Sequence, residues 1–389
     1  MPRKKKAVKE DEGRPIDDVL NRLKSRYPGR VFTGREYTMP WMVRRLPTGV
    51  IDLDIALNGG FPAGGLSVLV GKPGVGKNWV ANKVIQRQQQ IYGEDTNIGV
   101  INTETCYDKV FAQLSGVSVA LSDDEIGVLA SEFKEDTGND MEEAEVKKYM
   151  SQIGTFVTTM PDTAEKCLQI AVDMVSSRAF HVVVIDSFGS LLIDADEDKS
   201  LDENVKVAGP SSVNTQFMKK LSNALAPDKD GNPNLTCILG INQARDNQNR
   251  ANKYSPELKE SGGWALKHGR LVTVELSPAG KVRSGGKKTG LIVGKKVRWN
   301  ISKQKAGGHE GGSGVYDFIW SRCGMDPGVH LVDIAVDYDV VKRSGTWYSY
   351  DGERLGQGLF ASAAAAEEMG LLSEIEAAVL ASAGIRYRT

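Results

Sequence analysis

A glycine-rich segment with one lysine is the clearest candidate for chemistry in this sequence. It reads G-x-x-x-x-G-K and lies between an apolar run, Leu66–Val70, and a helical pattern, Asn78–Tyr92. Glycines let successive backbone N–H groups converge into a nest for an anion, and a helix start adds the positive end of its dipole. A glycine-rich turn without a ligand is the alternative, but strand, loop, lysine and helix are all in place. We therefore predict a nucleotide-phosphate site formed by Gly71, Lys72, Pro73, Gly74, Val75, Gly76, Lys77 and Asn78.

Asn78 departs from this pattern, in which the residue after the lysine is usually Ser or Thr. The usual hydroxyl binds Mg²⁺. An amide oxygen can also ligate Mg²⁺, which takes oxygen donors, but the amide is bulkier and stiffer. We therefore expect nucleotide binding to persist and hydrolysis to be the affected step.

Two carboxylates follow apolar runs that we predict to be strands. Asp186 comes directly after His181–Ile185 and could hold Mg²⁺ through water. Glu104 follows Ile98–Asn102 and could orient or deprotonate the attacking water. An ordinary acid at a strand end is the alternative for each, and pairing with the phosphate loop favours the functional interpretation of Asp186.

The elements that must position these residues alternate between strand and helix. Alternation of this kind predicts an α/β fold with a mostly parallel sheet covered by helices on both faces. Ligands bind such sheets at the carboxyl ends of the strands. The further predicted elements are helices over 163–175 and 213–225 and a strand over 235–241.

Composition excludes several classes of protein. The 389 residues are 40% hydrophobic and 25% charged, as in globular proteins of two or three domains. With 49 basic and 50 acidic residues, a uniformly basic coat for nucleic acid is excluded, although a local basic face is not. No apolar run is long enough to cross a bilayer, and the four dispersed cysteines suggest neither zinc nor disulfides. We expect a cytoplasmic protein without a membrane partner.

Basic residues are concentrated in two segments. These are 281–298, which holds seven Lys or Arg and no acid, and 245–263. Residues 119–150, by contrast, form an acidic surface insertion. Residues 245–263 combine cations with Tyr254, and bases with aromatics can hold single-stranded nucleic acid by charge and stacking. We interpret 281–298 as a basic surface for the phosphate backbone of nucleic acid, and a solvated basic hairpin is the alternative. The candidate DNA contacts in 245–263 are Arg245, Arg250, Lys253, Tyr254 and Lys259.

Several short motifs, taken together, resemble the RecA recombinase family. The resemblance spans roughly residues 16–360, and Gly345–Tyr350 (GTWYSY) is typical of bacterial members rather than of phosphate-loop ATPases generally. The other motifs, in the same order as in the family, are Leu46–Gly49, Leu53–Leu57, Asn102–Glu104, Pro161–Glu165, Ile241–Gln243 and Gly262–Lys267.

The resemblance implies a RecA-type ATPase core and a role for each matching residue. Glu104 would activate water, with Lys77 and Gln243 as further catalytic residues. Gln243 would sense the γ-phosphate of ATP and order the DNA loop at 245–263. Phe111 would pack beside the adenine, and Lys303 and Lys305 would reach the ATP of a neighbouring subunit. The cofactors implied are ATP and Mg²⁺, the latter held by Asn78 and Asp186; a first DNA loop would lie at 194–209, and Gly262, Gly263 and Lys267 would join the DNA contacts.

The predicted organisation has four parts. These are a flexible tail (1–15), an N-terminal polymerisation helix and linker (16–45), the ATPase core (46–328) and a small C-terminal domain (329–389). The helix at 16–27 would join copies of the chain into a helical filament.

The function predicted is ATP-dependent recombination in a bacterial cell or phage-infected host. The protein would form filaments on single-stranded DNA, pair it with homologous double-stranded DNA and exchange strands. One alternative is an ATP-binding DNA scaffold with little hydrolysis, because of Asn78. Another is a ring-shaped helicase or loader, which Gly345–Tyr350 and the N-terminal helix argue against.

Overall fold

The computed structural model describes residues 15–103, 107–188, 209–246, 258–260, 263–284 and 289–385. Its helices and strands confirm the predicted α/β class. The helices, in chain order, are α1 Pro15–Arg26, α2 Pro40–Val43, α3 Ile51–Ala56, α4 Lys77–Tyr92, α5 Lys109–Leu114, α6 Asp123–Thr137, α7 Glu143–Met150, α8 Ala164–Ser177, α9 Gly209–Ala224, α10 Gly263–Gly269, α11 Pro327–Asp337, α12 Leu359–Glu368 and α13 Leu372–Ser382. Among the helices of these segments, none combines the length and apolar character that crossing a bilayer requires.

One large sheet organises the molecule. Its strand order is β11-β10-β9-β3-β7-β6-β4-β5, and β8 pairs with β7 off this path. The strands from β9 to β5 in this order run parallel, and β10 and β11 add an antiparallel edge. The strands are β1 Arg45–Leu46, β2 Phe61–Pro62, β3 Gly65–Gly71, β4 Asn97–Asn102, β5 Thr155–Thr159, β6 Val182–Asp186, β7 Cys237–Asp246, β8 Leu258–Glu260, β9 Val272–Arg283, β10 Ile292–Gln304, β11 Ser313–Ile319, β12 Val341–Ser344, β13 Trp347–Tyr350 and β14 Glu353–Gln357.

Helices cover both faces of the sheet, as its apolar strands require. Every residue of β3 is buried, which is the pattern of a parallel strand packed on both sides. On one face, Trp79 and Val84 of α4 belong to a core cluster with residues of β9 to β11. On the other face, α8 and α9 contribute Cys167 and Phe217 to a second cluster.

Strand β7 extends beyond the predicted strand over 235–241. It continues to Asp246 and pairs with the short antiparallel strand β8, with Arg245 opposite Lys259. The strand runs on because β8 provides a hydrogen-bonding partner beyond the sheet edge. The helix α10 then begins at Gly263.

A buried carboxylate explains one motif near the N-terminus. Asp54 of α3 accepts hydrogen bonds from the backbone N–H groups of Thr48, at 2.7 Å, and Gly49, at 2.9 Å. Asp54 is 1% exposed, so these bonds satisfy a group that would be costly to bury alone. Asp54, in the motif Leu53–Leu57, therefore joins α3 to the backbone of the motif Leu46–Gly49.

The C-terminal region forms a small α/β unit that packs on the core. Strands β12, β13 and β14 make an antiparallel sheet, and α11, α12 and α13 complete a cluster that includes Ile51 and Ile55 of α3. His330 of α11 lies 2.8 Å from Asp52 (Nε2 to Oδ1), and Asp52 also accepts a bond from Trp299 Nε1 at 3.2 Å. Polar and apolar contacts thus hold this unit against the sheet domain.

The acidic segment contains two helices, α6 and α7. Ser122 begins α6 with a capping box, in which its hydroxyl accepts from Glu125 N–H and Glu125 accepts from Ser122 N–H. Val119, Leu121 and Ile126 are buried, whereas most of the acidic side chains are exposed. The segment is therefore an ordered addition next to α5 with a charged outer surface.

Candidate nucleotide-binding site

The predicted phosphate loop lies at the carboxyl end of β3, as its strand–turn–helix pattern requires. Gly74 has φ 69° and Gly76 has φ 115°, a left-handed conformation that side chains disfavour and glycine permits. Lys77 is buried, and its ammonium group donates to the carbonyl oxygens of Gly71, at 3.0 Å, and Lys72, at 2.9 Å. The lysine therefore points into the concave side of the loop rather than into solvent.

Asn78 and Asp186 come together although 108 residues separate them in sequence. Asn78 Nδ2 donates to Asp186 Oδ2 at 2.7 Å, which joins the start of α4 to the end of β6. Both side chains carry hard oxygen donors next to the phosphate loop. That fits Mg²⁺, which is held in proteins by one or two such ligands together with water and substrate phosphates. No group of three His, Cys, Asp or Glu side chains forms a metal site in the segments that the structure covers.

Thr103 fixes the backbone that carries Asp186. Its hydroxyl accepts a hydrogen bond from Ser187 N–H at 2.8 Å and lies 3.1 Å from the carbonyl oxygen of Asp186. Thr103 N–H donates to that same oxygen at 2.6 Å. These bonds tie the ends of β4 and β6 together. Thr103 lies in the motif Asn102–Glu104, directly after a strand, but the sequence offers no sign of this role.

Gln243 lies beside the first residue of the phosphate loop. The parallel pairing of β3 with β7 places Gly71 opposite Gln243, and adjacent strands are separated by about 4.8 Å. Three residues further along β7, Asp246 pairs with Leu258 of β8. Gln243 thus connects the phosphate loop directly to the strand pair that leads into the predicted DNA loop.

The chain is similar in sequence to one family of known proteins. A family model described as the RecA N-terminal domain matches residues 136–309, and one described as the RecA C-terminal domain matches residues 329–384. Protein RecA of Heliobacterium modesticaldum is 29% identical over 346 residues, which are 88% of this chain and 85% of that protein. Protein RecA of Oceanobacillus iheyensis is 27% identical over 350 residues, covering 90% of this chain and 86% of that protein.

This chain belongs to the RecA family. Its sequence is only 29% and 27% identical to those of the two RecA proteins. The roles of its site residues therefore rest on the contacts that its own side chains make. Asn78 is the position at which its phosphate loop departs from the usual pattern.

The segment after β4 holds Phe111 close to α4. Asp108 caps α5 by accepting from Phe111 N–H at 2.8 Å, and the Phe111 ring packs partly buried against the core. Tyr107 donates from its hydroxyl to Asn82 of α4 at 2.8 Å, and burial raises its pKa, with the charges of Asp108 and Asp186 adding to the effect. Glu104, the predicted catalytic carboxylate, lies outside the described residues.

Lys303 and Lys305 do not approach the phosphate loop of their own chain. Lys303 lies opposite Thr273 in β9, whereas Gly71 lies opposite Leu276, which is further toward the carboxyl edge. Their ammonium groups instead bind the end of α10: Lys303 donates to the Lys267 carbonyl and Lys305 to that of His268, at 2.7 Å. Partial burial, with Lys305 and Arg270 nearby, lowers the pKa of Lys303 to about 8. A role at ATP therefore requires a second copy of the chain.

The predicted DNA contacts lie largely where the structure gives no description. Arg250, Lys253, Tyr254 and Gly262 are outside the described residues, as is 194–208 of the first predicted loop. Arg245 and Lys259 pair in β7 and β8. Gly263 begins α10, on which Lys267 is exposed.

The basic hairpin formed by β9 and β10 divides its cations among different contacts. Arg283 donates to the Gly290 carbonyl at 2.8 Å, and Lys296 pairs with Asp317 at 2.6 Å. Lys295 donates to the carbonyl oxygen of Gly74 in the phosphate loop. Only Lys281 and Arg298 are exposed among its described cations, so this segment is not simply a stripe of charge facing solvent.

Proposed function

We propose that this RecA-family protein is an ATP-dependent recombinase. It would form filaments on single-stranded DNA, pair that strand with homologous double-stranded DNA and exchange the strands. The observation that supports this most strongly is the assembly of Lys77, Asp186 and Gln243 at one edge of the sheet. Gln243 lies in β7, which continues from there into its pair with β8. A nucleotide and a DNA strand would therefore act on one continuous element.

The chain's own residues account for each part of ATP hydrolysis. The phosphate loop would bind the triphosphate through backbone N–H groups and Lys77. Asn78 and Asp186 would hold Mg²⁺, which neutralises charge on the phosphates. Glu104 would take a proton from water as the water oxygen bonds to the γ-phosphorus and the bond to the β–γ bridging oxygen breaks.

Gln243 provides the coupling between nucleotide and DNA in this proposal. A side chain amide can bind a γ-phosphate oxygen when ATP is present and loses that contact after hydrolysis. Because β7 continues directly into the pair with β8, a change at Gln243 would reach residues 245–263. Binding of ATP would order this segment to grip DNA, and hydrolysis would release it.

Filament formation would complete the site. Helix α1 exposes Ile16, Val19 and Leu23, which are 53%, 39% and 38% accessible, an apolar surface suited to a second copy of the chain. Lys303 and Lys305 of that copy would supply cations to the ATP at the interface. Assembly and nucleotide binding would then favour one another. We expect this activity in the cytoplasm of a bacterial or phage-infected cell.

The test is ATP turnover by the full chain with and without single-stranded DNA, followed by strand exchange with homologous and heterologous duplex. We expect turnover that DNA stimulates and exchange that requires homology. Lys77→Met should abolish both, whereas Lys148→Met, which removes an exposed lysine of α7 outside the site, should preserve them. Filaments without turnover would indicate a scaffold instead, and rings in electron micrographs would indicate a helicase or loader.

A further inference from the structure

Lys295 is a second lysine at the phosphate loop, contributed by a strand 221 residues away. It lies in β10, two strands from β3 in the order β10-β9-β3. Leu276 of β9 pairs with Gly71 on one side and Trp299 on the other. Lys295 precedes Trp299 by four residues in an antiparallel strand, so it stands beyond the end of β3, at the height of the loop.

The side chain of Lys295 is directed toward the loop by strand alternation. Residues two apart in a strand share a face, and Val297 and Trp299 on this face are buried in the core that includes α4. The ammonium group of Lys295 donates to the carbonyl oxygen of Gly74. It also lies 5.2 Å from the centre of the Phe318 ring, close enough for a cation–π contact.

Lys295 binds the carbonyl side of one peptide group of the loop. In a trans peptide the carbonyl oxygen and the next N–H point in opposite directions. Gly74 C=O faces Lys295, and Val75 N–H faces the inside of the loop, where it donates to the Lys72 carbonyl oxygen with an N to O distance of 3.4 Å. Lys77 Nζ binds that same oxygen at 2.9 Å. Two lysines therefore flank the Gly74–Val75 peptide, one outside the loop and one inside.

We propose that Lys295 is a positioning residue for the triphosphate. It holds the Gly74–Val75 peptide with its N–H toward the phosphates and adds a fixed positive charge behind the loop. This inference rests on the proposed function, in which the loop binds ATP. It assigns Lys295 to the nucleotide rather than to DNA, although the sequence places it within a basic hairpin.

Lys296 is a matched control because it is the next residue of the same strand and lies on the opposite face. Its ammonium group pairs with Asp317 at 2.6 Å. Removing either lysine changes the net charge of the hairpin by the same amount. A difference between the two variants therefore reports the contact with Gly74 and not the general charge of β9 and β10.

The experiment measures binding of a fluorescent ATP derivative, with Mg²⁺ and without DNA, to the full chain. Loss of a hydrogen bond from a charged group predicts that Lys295→Met raises the Kd about tenfold. Lys295→Arg, which can donate to the same carbonyl, should recover most of the affinity, and Lys296→Met should bind as the wild type does. In turnover assays Lys295→Met should raise KM and leave kcat nearly unchanged, because the contact does not depend on the transition state.

Three results would overturn the role of Lys295. These are wild-type affinity in Lys295→Met, an equal loss in Lys296→Met, and no recovery in Lys295→Arg. The wild type and Lys77→Met keep this failure separate from failure of the proposed function. If the wild type binds the nucleotide, Lys77→Met does not and Lys295→Met binds normally, only the role of Lys295 is wrong; if the wild type binds none, both proposals fail.

Discussion

Asn78 Nδ2 donates a hydrogen bond to Asp186 Oδ2 at 2.7 Å. The bond places an amide where the family pattern has a hydroxyl, and its partner is the carboxylate proposed to hold Mg²⁺. The amide nitrogen occupies one oxygen of Asp186, whereas Lys77 makes separate contacts to the carbonyl oxygens of Gly71 and Lys72. This arrangement separates the residues that would bind the nucleotide from those that would tune its hydrolysis.

Asn78→Thr should raise DNA-stimulated ATP turnover more than it raises nucleotide affinity. The smaller hydroxyl frees the Asp186 oxygen and takes up less room beside the Mg²⁺ proposed there. A gain of about tenfold in kcat corresponds to about 1.4 kcal/mol of barrier, and we expect affinity to change much less. Asn78→Ala, which removes the amide without adding a hydroxyl, is the control. Turnover in the Thr variant equal to or below that of the wild type would contradict this.

ATP-dependent assembly should weaken as the pH rises through about 8. Lys303 has its pKa lowered to about 8, so its ammonium group is charged below that pH and loses its proton above it. A neighbouring triphosphate favours the charged form, so assembly takes up a proton, and the affinity between copies should fall about tenfold from pH 7 to pH 9. Light scattering with ATP and DNA measures this effect.

Two arginine variants locate the origin of that pH dependence. Lys303→Arg should flatten the profile, because arginine stays charged throughout this range. Lys305→Arg leaves Lys303 in place and should keep the profile of the wild type. If Lys303→Arg followed the wild-type profile, the titration of Lys303 would not be its cause.

Leu23→Glu should prevent filament formation while nucleotide binding stays within about twofold of the wild type. The substitution puts a charge on the apolar surface of α1, and burying an unpaired charge in an interface is strongly unfavourable. Ser25→Glu adds the same charge at another exposed position of this helix and should assemble normally. Sedimentation with ATP distinguishes the two, and filaments of normal length from Leu23→Glu would exclude this helix as the contact.

Affinity for single-stranded DNA should fall steeply with salt, since phosphate contacts release counterions. Arg250→Gln and Lys253→Gln should each weaken binding to all sequences similarly and lower the slope of log K against log salt by about 0.7. Lys281→Gln, on the hairpin, tests the alternative site and should leave the slope unchanged. Binding that stays constant between low and moderate salt would argue against the loop 245–263 as the DNA contact.

Local sequence determined much of the candidate site. The G-x-x-x-x-G-K spacing between β3 and α4 predicted the phosphate loop, and apolar runs predicted that Asp186 follows a strand. These features depend on backbone conformation and periodicity within a few residues, which sequence patterns report directly. Gln243 came instead from the family resemblance, and the structure places it within β7, which continues to Asp246.

Tertiary structure alone decided which of these residues meet. The position of β6 beside β7 brings Asp186 near Asn78, and the antiparallel edge carries Lys295 to Gly74. In the sequence, Lys295 is only one cation among seven, and Lys303 gives no sign that it binds the end of α10. The physical reason is that strand order and side-chain direction depend on how distant segments pack to bury apolar surface. The periodicity of the sequence determines only the type of each element by itself.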